Sequence, residues 1–217
     1  MVPAIPVEAA RVASTVLAVA TDEQHAIAQE TAGVVSGRDQ VGGERPIPVA
    51  ISARHIHLTK ESIAVLFGEG HELTPRNELS QPGQFACAET LDVVGPKRTI
   101  EGVRILGPAR RKNQVEISRT DEFFLGIDAP VRNSGDVEGS AAVVLVGPRG
   151  TLQLEEGVIC ARRHIHMTPD DAKYYGVEDR DVVEVAIDSD GRDLVFGDVL
   201  IRVRSSYALE MHIDTDE

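Results

Sequence analysis

The stretches SARHIHLT, at residues 52–59, and CARRHIHMT, at residues 160–168, place the same residues in the same order. Both contain Arg-His-Ile-His followed by an apolar residue and a threonine. Because alternate residues of a strand point to one face, the two histidines of each stretch can reach a single metal ion. An isolated histidine is more often solvated or hydrogen-bonded than a ligand, but a repeated pair favours metal binding.

A finer repeat links three segments of the chain, HLTKESIAVLFG, EISRTDEFFLG and HMTPDDAKYYG. Their first residues, His57, Glu116 and His166, can all bind metal, and each segment ends with a glycine. The third residue is always Thr or Ser, which are good N-cap residues. The pattern predicts a strand end, a hydroxyl cap, a short helix and a terminal glycine, three times over. Such internal duplication favours pseudo-two-fold symmetry.

Composition excludes several functional classes. The net charge of −13 argues against a nucleic-acid partner and against an anionic membrane surface. Two cysteines form no disulfide framework and are expected to be buried small residues. Without a secretory signal or a long apolar run, the chain is expected to be soluble and intracellular.

The composition and residue pattern of the sequence change near Pro46. Residues 1–43 are rich in alanine, and apolar residues at helical spacing predict a helix over about residues 7–20. Thr21 and Gln24 predict the cap of a second helix that runs to Gly37, and a Gly-rich linker follows. From Pro46 onward, short Val- and Ile-rich runs alternate with Gly, Pro and Asn or Asp, which is typical of a barrel or sandwich. We therefore expect a mainly β protein with a helical N-terminal extension.

Five stretches of the sequence together resemble those of a known protein family. They are ARHIHLT, LTPRNELSQPGQFACAET, LGPARRKNQVEISRTDEFFLGIDAPVRNSGDVEGS, RHIHMTPDDA and YALEMHIDTDE. In this order, from about Pro46 to Glu217, they resemble the PduL-type phosphate propanoyltransferases, the phosphotransacylases of bacterial microcompartments. The resemblance implies an acyltransferase that interconverts acyl-CoA and phosphate with acyl phosphate and free CoA.

The resemblance also implies an architecture of two pseudo-symmetric small β barrels with short capping helices. One barrel is expected from residues 44–53 and 162–217, and the other from residues 54–161. Residues 1–43 carry no part of the catalytic match. Residues 1–20 are expected to form a helical encapsulation peptide that binds a microcompartment shell protein, which would place the enzyme in the compartment lumen. A homo-oligomer, such as a dimer, is expected.

Site residues follow from the resemblance by position. It implies two Zn²⁺ ions, with other divalent metals left open. One ion is assigned to His55, His57 and Glu116. The other is assigned to His164, His166 and His212, the last lying in the stretch EMHIDTDE.

Two further residues are implied as catalytic. Arg110 falls where the family holds phosphate, although the adjacent Arg111 leaves the choice of arginine open. Ser134, in RNSGD, matches a serine near that site. A fixed guanidinium suits phosphate because it can donate two parallel hydrogen bonds.

Two other classes of function compete with this interpretation. A cupin-like metalloprotein would use His55, His57, Glu61 and Gly68, but Glu61 falls in the helix predicted after Thr59. A zinc-stabilised module that docks to a protein shell would require closed tetrahedral sites, whereas the predicted ligand sets leave coordination positions free.

Overall fold

The computed structural model describes residues 13–17, 45–188 and 191–217. Over these residues the protein is mainly β, with fourteen strands and three short helices. The chain divides into two compact units. Within the described residues, the first unit contains residues 13–17, 45–49, 164–188, 191–205 and Leu209–Met211, and the second contains Ala50–Arg163, Ser206–Ala208 and His212–Glu217. The prediction of a mainly β protein is confirmed, whereas the predicted pair of pseudo-symmetric barrels and its boundaries stay a prediction.

The elements in chain order are β1 (Ala13–Leu17), β2 (Val49–Ile51), β3 (His55–His57), α1 (Lys60–Phe67), β4 (Pro75–Glu78), β5 (Phe85–Val94), β6 (Thr99–Gly107), β7 (Gln114–Glu116), α2 (Arg119–Leu125), β8 (Val131–Arg132), β9 (Ala141–Val146), β10 (Thr151–Ala161), β11 (His164–Met167), α3 (Pro169–Tyr175), β12 (Val182–Asp188), β13 (Leu194–Val203) and β14 (Glu210–Ile213).

An eight-stranded sheet builds the second unit. Its order is β4-β5-β6-β3-β7-β10-β8, and β9 pairs with β10 and β5. The short strand β3 lies between β6, to which it is parallel, and β7, to which it is antiparallel. Ile56 of β3 is fully buried in the hydrophobic core of this unit, which also contains Ile105, Val115 and Val158. Since neighbouring residues of a strand point to opposite faces, burying Ile56 directs both flanking histidines to the other face.

A six-stranded sheet has the order β1-β12-β13-β11-β14-β2. The central strand β11 runs parallel to β13, with His164 opposite Leu200. Ile165 and Met167 of β11 are buried, as are Val185 and Ile201 on the strands β12 and β13. The alternation that separates histidines from core residues in β3 therefore recurs in β11.

Each of the three helices follows a short strand in the predicted way. Thr59 caps α1, Ser118 caps α2 and Thr168 caps α3, and each side chain accepts a hydrogen bond from a backbone N–H three residues later. The helices end at Gly68, Gly126 and Gly176, and the last two have left-handed backbone conformations. The predicted threefold strand–cap–helix–glycine repeat is confirmed. None of the helices in the described part of the chain is long and apolar enough to span a bilayer.

Two segments near the C-terminus, Ser206–Ala208 and His212–Glu217, belong to the second unit and are bound to it by specific contacts. The side-chain amide of Gln81 donates to the carbonyl oxygen of Ala208 at 3.1 Å and accepts from its N–H at 3.2 Å. The N–H of Thr120 donates to Asp216, at 2.6 Å. Arg163 forms an ion pair with Glu217 at 3.0 Å. These contacts join the C-terminal residues to three separate segments of the second unit, at Gln81, Thr120 and Arg163.

The N-terminal segment differs from its prediction where the structure describes it. Residues 13–17 form the strand β1, parallel to β12, and not the centre of a helix. Thr15 and Val16 explain the difference, since β-branched residues favour strands and the edge of β12 offers backbone partners. The other residues of the predicted extension and linker, 1–12 and 18–43, lie outside the described part of the chain.

Candidate active site

Two neighbouring antiparallel strands bring the first predicted ligand set together. In the register of β3 and β7, His55 lies opposite Glu116 and His57 lies opposite Gln114. Directly opposed residues share one face of a sheet, and so do residues two apart on a strand. Strand pairing alone therefore places these four side chains on one small patch.

The ligand atoms of this patch are close and buried. Nε2 of His55 lies 3.2 Å from Nε2 of His57 and 3.6 Å from Oε2 of Glu116. The potential ligand atoms of the three residues all lie within 4.8 Å of one another, and the residues are 6%, 1% and 7% exposed. Among the described residues this is the one group of three or more such side chains with that spacing.

Hydrogen bonds at the far side of each imidazole determine which nitrogen is free to bind. Nδ1 of His55 lies 2.8 Å from the carbonyl oxygen of Ala53, and Nδ1 of His57 lies 3.2 Å from that of Leu106. A carbonyl oxygen only accepts, so in each neutral ring Nδ1 carries the proton. Both Nε2 lone pairs then point at one another, which is unfavourable unless a cation lies between them. Metal-binding histidines typically donate their other ring N–H to a carbonyl or carboxylate oxygen in this way.

The geometry fits a metal ion of the size of zinc. Two nitrogen ligands at tetrahedral positions about 2.0–2.1 Å from Zn²⁺ are separated by about 3.3 Å. The measured separation of the two Nε2 atoms is 3.2 Å. Two imidazoles and one carboxylate supply three ligands, which is the number that catalytic zinc sites use while keeping one position open.

The electrostatics of the patch favour the metal-binding protonation states of His57 and Glu116, whereas His55 is shifted toward its protonated form. Burial lowers the pKa of His57 well below its usual value, and the neighbouring His55 and Arg110 lower it further. Burial raises the pKa of the Glu116 carboxyl, but His55 outweighs this effect and the net shift is downward. Burial alone would lower the pKa of His55, whereas Glu116 raises it overall. A cation at this position would replace the proton that His55 otherwise shares with Glu116.

Arg110 lies beside this group, on the loop after β6. Its charge lowers the pKa of both His55 and His57, so its guanidinium is close enough to act on them. The Nη2 atom donates to Oε1 of Gln84 at 3.2 Å, and the backbone N–H of Arg110 donates to Leu58 at 2.7 Å. Arg110 is half-buried, whereas Arg111 is exposed. Of the two adjacent arginines, Arg110 is therefore the one associated with the predicted ligands.

Ser134 also reaches the group, through Glu116. Its hydroxyl donates to Oε1 of Glu116 at 2.8 Å. The side-chain amide of Gln114 donates to the same oxygen at 2.5 Å and to the hydroxyl of Ser134 at 3.0 Å. Oε1 is thus held by two donors, and Oε2 is the atom near His55.

Comparison with known proteins identifies the family. The family model described as phosphate propanoyltransferase matches residues 48–217. The chain belongs to this family. A phosphate propanoyltransferase of Thermotoga maritima is 59% identical over 174 residues, which are 80% of this chain and 83% of that protein. Proteins of the same name from Lachnoclostridium phytofermentans and Salmonella typhimurium are 55% and 51% identical, over 79% and 80% of this chain and 80% and 82% of their own lengths.

Membership of the phosphate propanoyltransferase family makes the protein an acyltransferase, as the sequence predicted. The competing cupin-like set is not assembled in the structure. Glu61 is exposed in the first turn of α1, and Glu116 is the carboxylate beside the two histidines.

The second predicted ligand set is divided between the two units. His164 and His166 are buried on β11 in the first unit, with ring centroids 4.6 Å apart, close to the 4.8 Å of His55 and His57. His212 lies on β14 and belongs to the second unit. Binding of one ion by these three residues stays a prediction.

Sequence analysis missed Gln114 and Gln84. Gln114 had a local signal, since it lies two residues before Glu116 on a strand and must share its face. Gln84 had none, because its contact with Arg110 depends on how distant segments pack.

Proposed function

We propose that this protein is a phosphotransacylase that converts a short-chain acyl-CoA and phosphate to acyl phosphate and CoA, with propanoyl-CoA or acetyl-CoA as the acyl donor. The observation that carries the proposal is the buried His55–His57–Glu116 group with Arg110 beside it, in a chain of the phosphate propanoyltransferase family. The name of the relatives supports phosphate and the propanoyl group as substrates.

The proposal includes two divalent ions, zinc being favoured by imidazole and carboxylate ligands without thiolate. His55, His57 and Glu116 hold the first, and the geometry of their ligand atoms supports this assignment. His164, His166 and His212 hold the second, which the matching geometry of β3 and β11 supports. When bound, such ions supply Lewis acidity to a carbonyl or phosphoryl oxygen.

The residues of the chain then divide the remaining tasks. Arg110 binds phosphate with two parallel hydrogen bonds, and Gln84 orients its guanidinium. A phosphate oxygen forms a bond to the thioester carbonyl carbon, the carbon–sulfur bond breaks, and CoA leaves as a thiolate that takes a proton. Ser134 contributes by holding Glu116.

Direct transfer is proposed, without an acyl-enzyme intermediate. Both cysteines are buried. Burial, as the largest cause, raises the pKa of Cys87 to about 11 and that of Cys160 to about 12. A thiol in that state is a poor nucleophile at neutral pH.

A kinetic assay tests the reaction. The protein, incubated with acetyl-CoA or propanoyl-CoA, should release free thiol when phosphate is present and should form acyl phosphate in equal amount. Thiol release without phosphate would identify a thioesterase and overturn the proposal. The ratio of the kcat/KM values for the two acyl donors identifies the preferred acyl chain. Contacts between the pocket and the one additional methylene group can change this preference by about 1–3 kcal/mol.

Elemental analysis tests the metal. Protein purified without added metal should contain two divalent ions per chain, and His57→Ala and His166→Ala should each lose one. Metal-free protein with full activity would contradict the assignment. A docking module with closed metal sites is the alternative, and it would retain both ions but show no transfer.

The location of the enzyme is also a proposal. The family resemblance supports encapsulation in a bacterial microcompartment, with residues 1–20 binding a shell protein, and a homo-oligomer such as a dimer is proposed beside it. Fusion of residues 1–20 to a fluorescent protein, in cells that make the cognate shell, should give punctate fluorescence. The fluorescent protein without residues 1–20 is the control, and equally diffuse fluorescence of the fusion would contradict the proposal.

A further inference from the structure

Gln114 is a buried polar residue next to the candidate metal ligands that does not itself belong to them. It is 2% exposed and lies opposite His57 across the β3–β7 pair. Its position on the sheet face is equivalent to that of a ligand. The hydrogen bonds of its side-chain amide indicate a different role.

Three hydrogen bonds fix the amide of Gln114. Its Oε1 accepts from the N–H of Gly135 at 2.7 Å, so the carbonyl end faces the loop that carries Ser134. Its Nε2 therefore faces the site, where it donates to Glu116 at 2.5 Å and lies 3.0 Å from the hydroxyl of Ser134. The bond from Gly135 thus determines which way round the amide lies.

Both donors converge on a single oxygen of Glu116. Gln114 and Ser134 occupy Oε1, whereas Oε2 lies 3.6 Å from Nε2 of His55. A carboxylate whose two oxygens are both free can bind a metal through one oxygen or through both. Hydrogen bonds at Oε1 compete with its use as a second ligand, and they orient Oε2.

We propose that Gln114 is a positioning residue, which together with Ser134 restricts Glu116 to metal ligation through Oε2 alone. This inference rests on the proposed metal at His55, His57 and Glu116. Its consequence is that a coordination position stays open for substrate, since a carboxylate that chelates through both oxygens would fill it.

Cobalt in place of the native metal reports the coordination number directly. The full chain is freed of metal and titrated with Co²⁺, whose visible absorption per bound ion weakens as the coordination number rises above four. Gln114→Met removes both donated hydrogen bonds at nearly constant volume. Compared with the unaltered protein, we expect a 10- to 100-fold lower affinity for Co²⁺ and weaker visible absorption per ion.

Matched variants assign the signal. Gln153→Met makes the same substitution at an exposed strand position on β10 and should leave affinity and spectrum unchanged. His57→Ala defines which part of the spectrum belongs to this site. Ser134→Ala removes one donor from a half-buried position and should lower the affinity less than Gln114→Met. It provides the decisive comparison if Gln114→Met fails to fold.

The outcomes separate the two proposals. If the unaltered protein binds no Co²⁺, or if His57→Ala leaves the whole spectrum intact, the metal site itself is wrong and the inference falls with it. If His57→Ala removes part of the spectrum but Gln114→Met matches the unaltered protein in affinity and absorption, the metal site stands and the positioning role is overturned. Unchanged binding by Ser134→Ala, where Gln114→Met does not fold, overturns it as well.

Discussion

Arg110 and Arg111 are adjacent in sequence but differ in surroundings. Arg110 is half-buried, is held by Gln84 and acts electrostatically on both histidines of β3, whereas Arg111 is exposed. A half-buried, oriented guanidinium can bind phosphate with less loss of side-chain freedom than an exposed one. The pair therefore offers a test with its own internal control.

We expect Arg110→Ala to raise the KM for phosphate by about 10- to 100-fold, because a hydrogen bond to a charged group contributes about 1.5–3 kcal/mol. Arg110→Lys keeps the charge but not the two-pronged geometry and should recover only part of the loss. Steady-state kinetics with phosphate as the varied substrate measure this. Arg111→Ala should behave as the unaltered enzyme, and the reverse ranking would reassign the phosphate ligand.

The two cysteines predict a pattern of thiol reactivity. Since burial raises the pKa of Cys87 to about 11 and of Cys160 to about 12, less than about 1% of either is thiolate at pH 8. A chromogenic disulfide reagent should therefore detect almost no thiol in the native protein and two per chain in denaturant. Rapid reaction of native protein at pH 8 would show that one cysteine is accessible and ionised.

At the residue scale, the sequence predicts the placement of His55 and His57 because that placement is local. His55 and His57 share a face through strand alternation, and the Ile between them is committed to the core. Glu116 could be added because a repeat aligned it with the histidines. The contact of Gln84 with Arg110 had no such local signal, since strand pairing and loop packing brought these residues together.

At the scale of elements, the short helix α3 depends on its first residue. The hydroxyl of Thr168 accepts from the N–H of Asp171 at 3.2 Å and donates to Oδ2 of Asp171 at 2.7 Å. The N–H of Thr168 donates to the same carboxylate oxygen at 3.0 Å. Seven residues are too few for an isolated helix, so the cap and packing must stabilise it.

We expect Thr168→Ala to lower the free energy of unfolding by about 1 kcal/mol, within the range of about 0.5–2 kcal/mol for lost N-caps. Thr168→Ser keeps the hydroxyl and serves as the control, with a loss well below that of Thr168→Ala. Urea unfolding followed by circular dichroism measures both. Equal losses for the two variants would show that the methyl group, and not the hydroxyl, is responsible.

Asp171 gives this helix cap a pH dependence. Burial raises the pKa of Asp171, but hydrogen bonds from Thr168 and the ion pair with Arg45 outweigh it and lower the pKa overall. A lowered carboxyl pKa stabilises the fold above the unfolded value, about 3.9, and this contribution disappears as the pH falls through the folded value.

The stability difference between the unaltered protein and Asp171→Asn should therefore be constant above about pH 5 and shrink below about pH 4. Unfolding curves at a series of pH values test this. Asp170→Asn, at an exposed position one residue earlier, controls for the loss of charge near the helix start. A difference that stays constant down to pH 2 would contradict the assignment.

Helices and strands could be predicted where the spacing of apolar and capping residues agreed with the helix or strand propensity of the residues. The three capped helices followed from hydroxyl residues and glycines at fixed positions, with an aspartate three residues after the cap in α2 and α3. Residues 13–17 were predicted as helix because apolar residues recurred at helical spacing, but Thr15 and Val16 favour a strand and β12 supplies a partner. In so short a segment, pairing with a distant strand decides whether a helix or a strand forms, and the local sequence does not indicate that pairing.

At the scale of the whole molecule, Gln81 joins residues far apart in sequence. It is 4% exposed, and its amide makes two hydrogen bonds to the backbone of Ala208, 127 residues away. We expect Gln81→Met to lower the free energy of unfolding by about 1–3 kcal/mol, because both backbone groups lose a partner. The urea midpoint reports this. The exposed Gln153→Met is the control, and an equal midpoint for both variants would show that the contact contributes nothing.

The placement of the eight-stranded sheet has a consequence for recombination between relatives. All its strands lie within residues 55–161, so a chimaera with joints at residues 49/50 and 163/164 transplants the sheet, the first ligand set and Arg110 as one block. The new parent must still supply partners for the contacts that Ala208, Asp216 and Glu217 make with that block. Gene shuffling among these enzymes should therefore tolerate exchange of the block with far fewer compensating changes than a joint placed anywhere inside it.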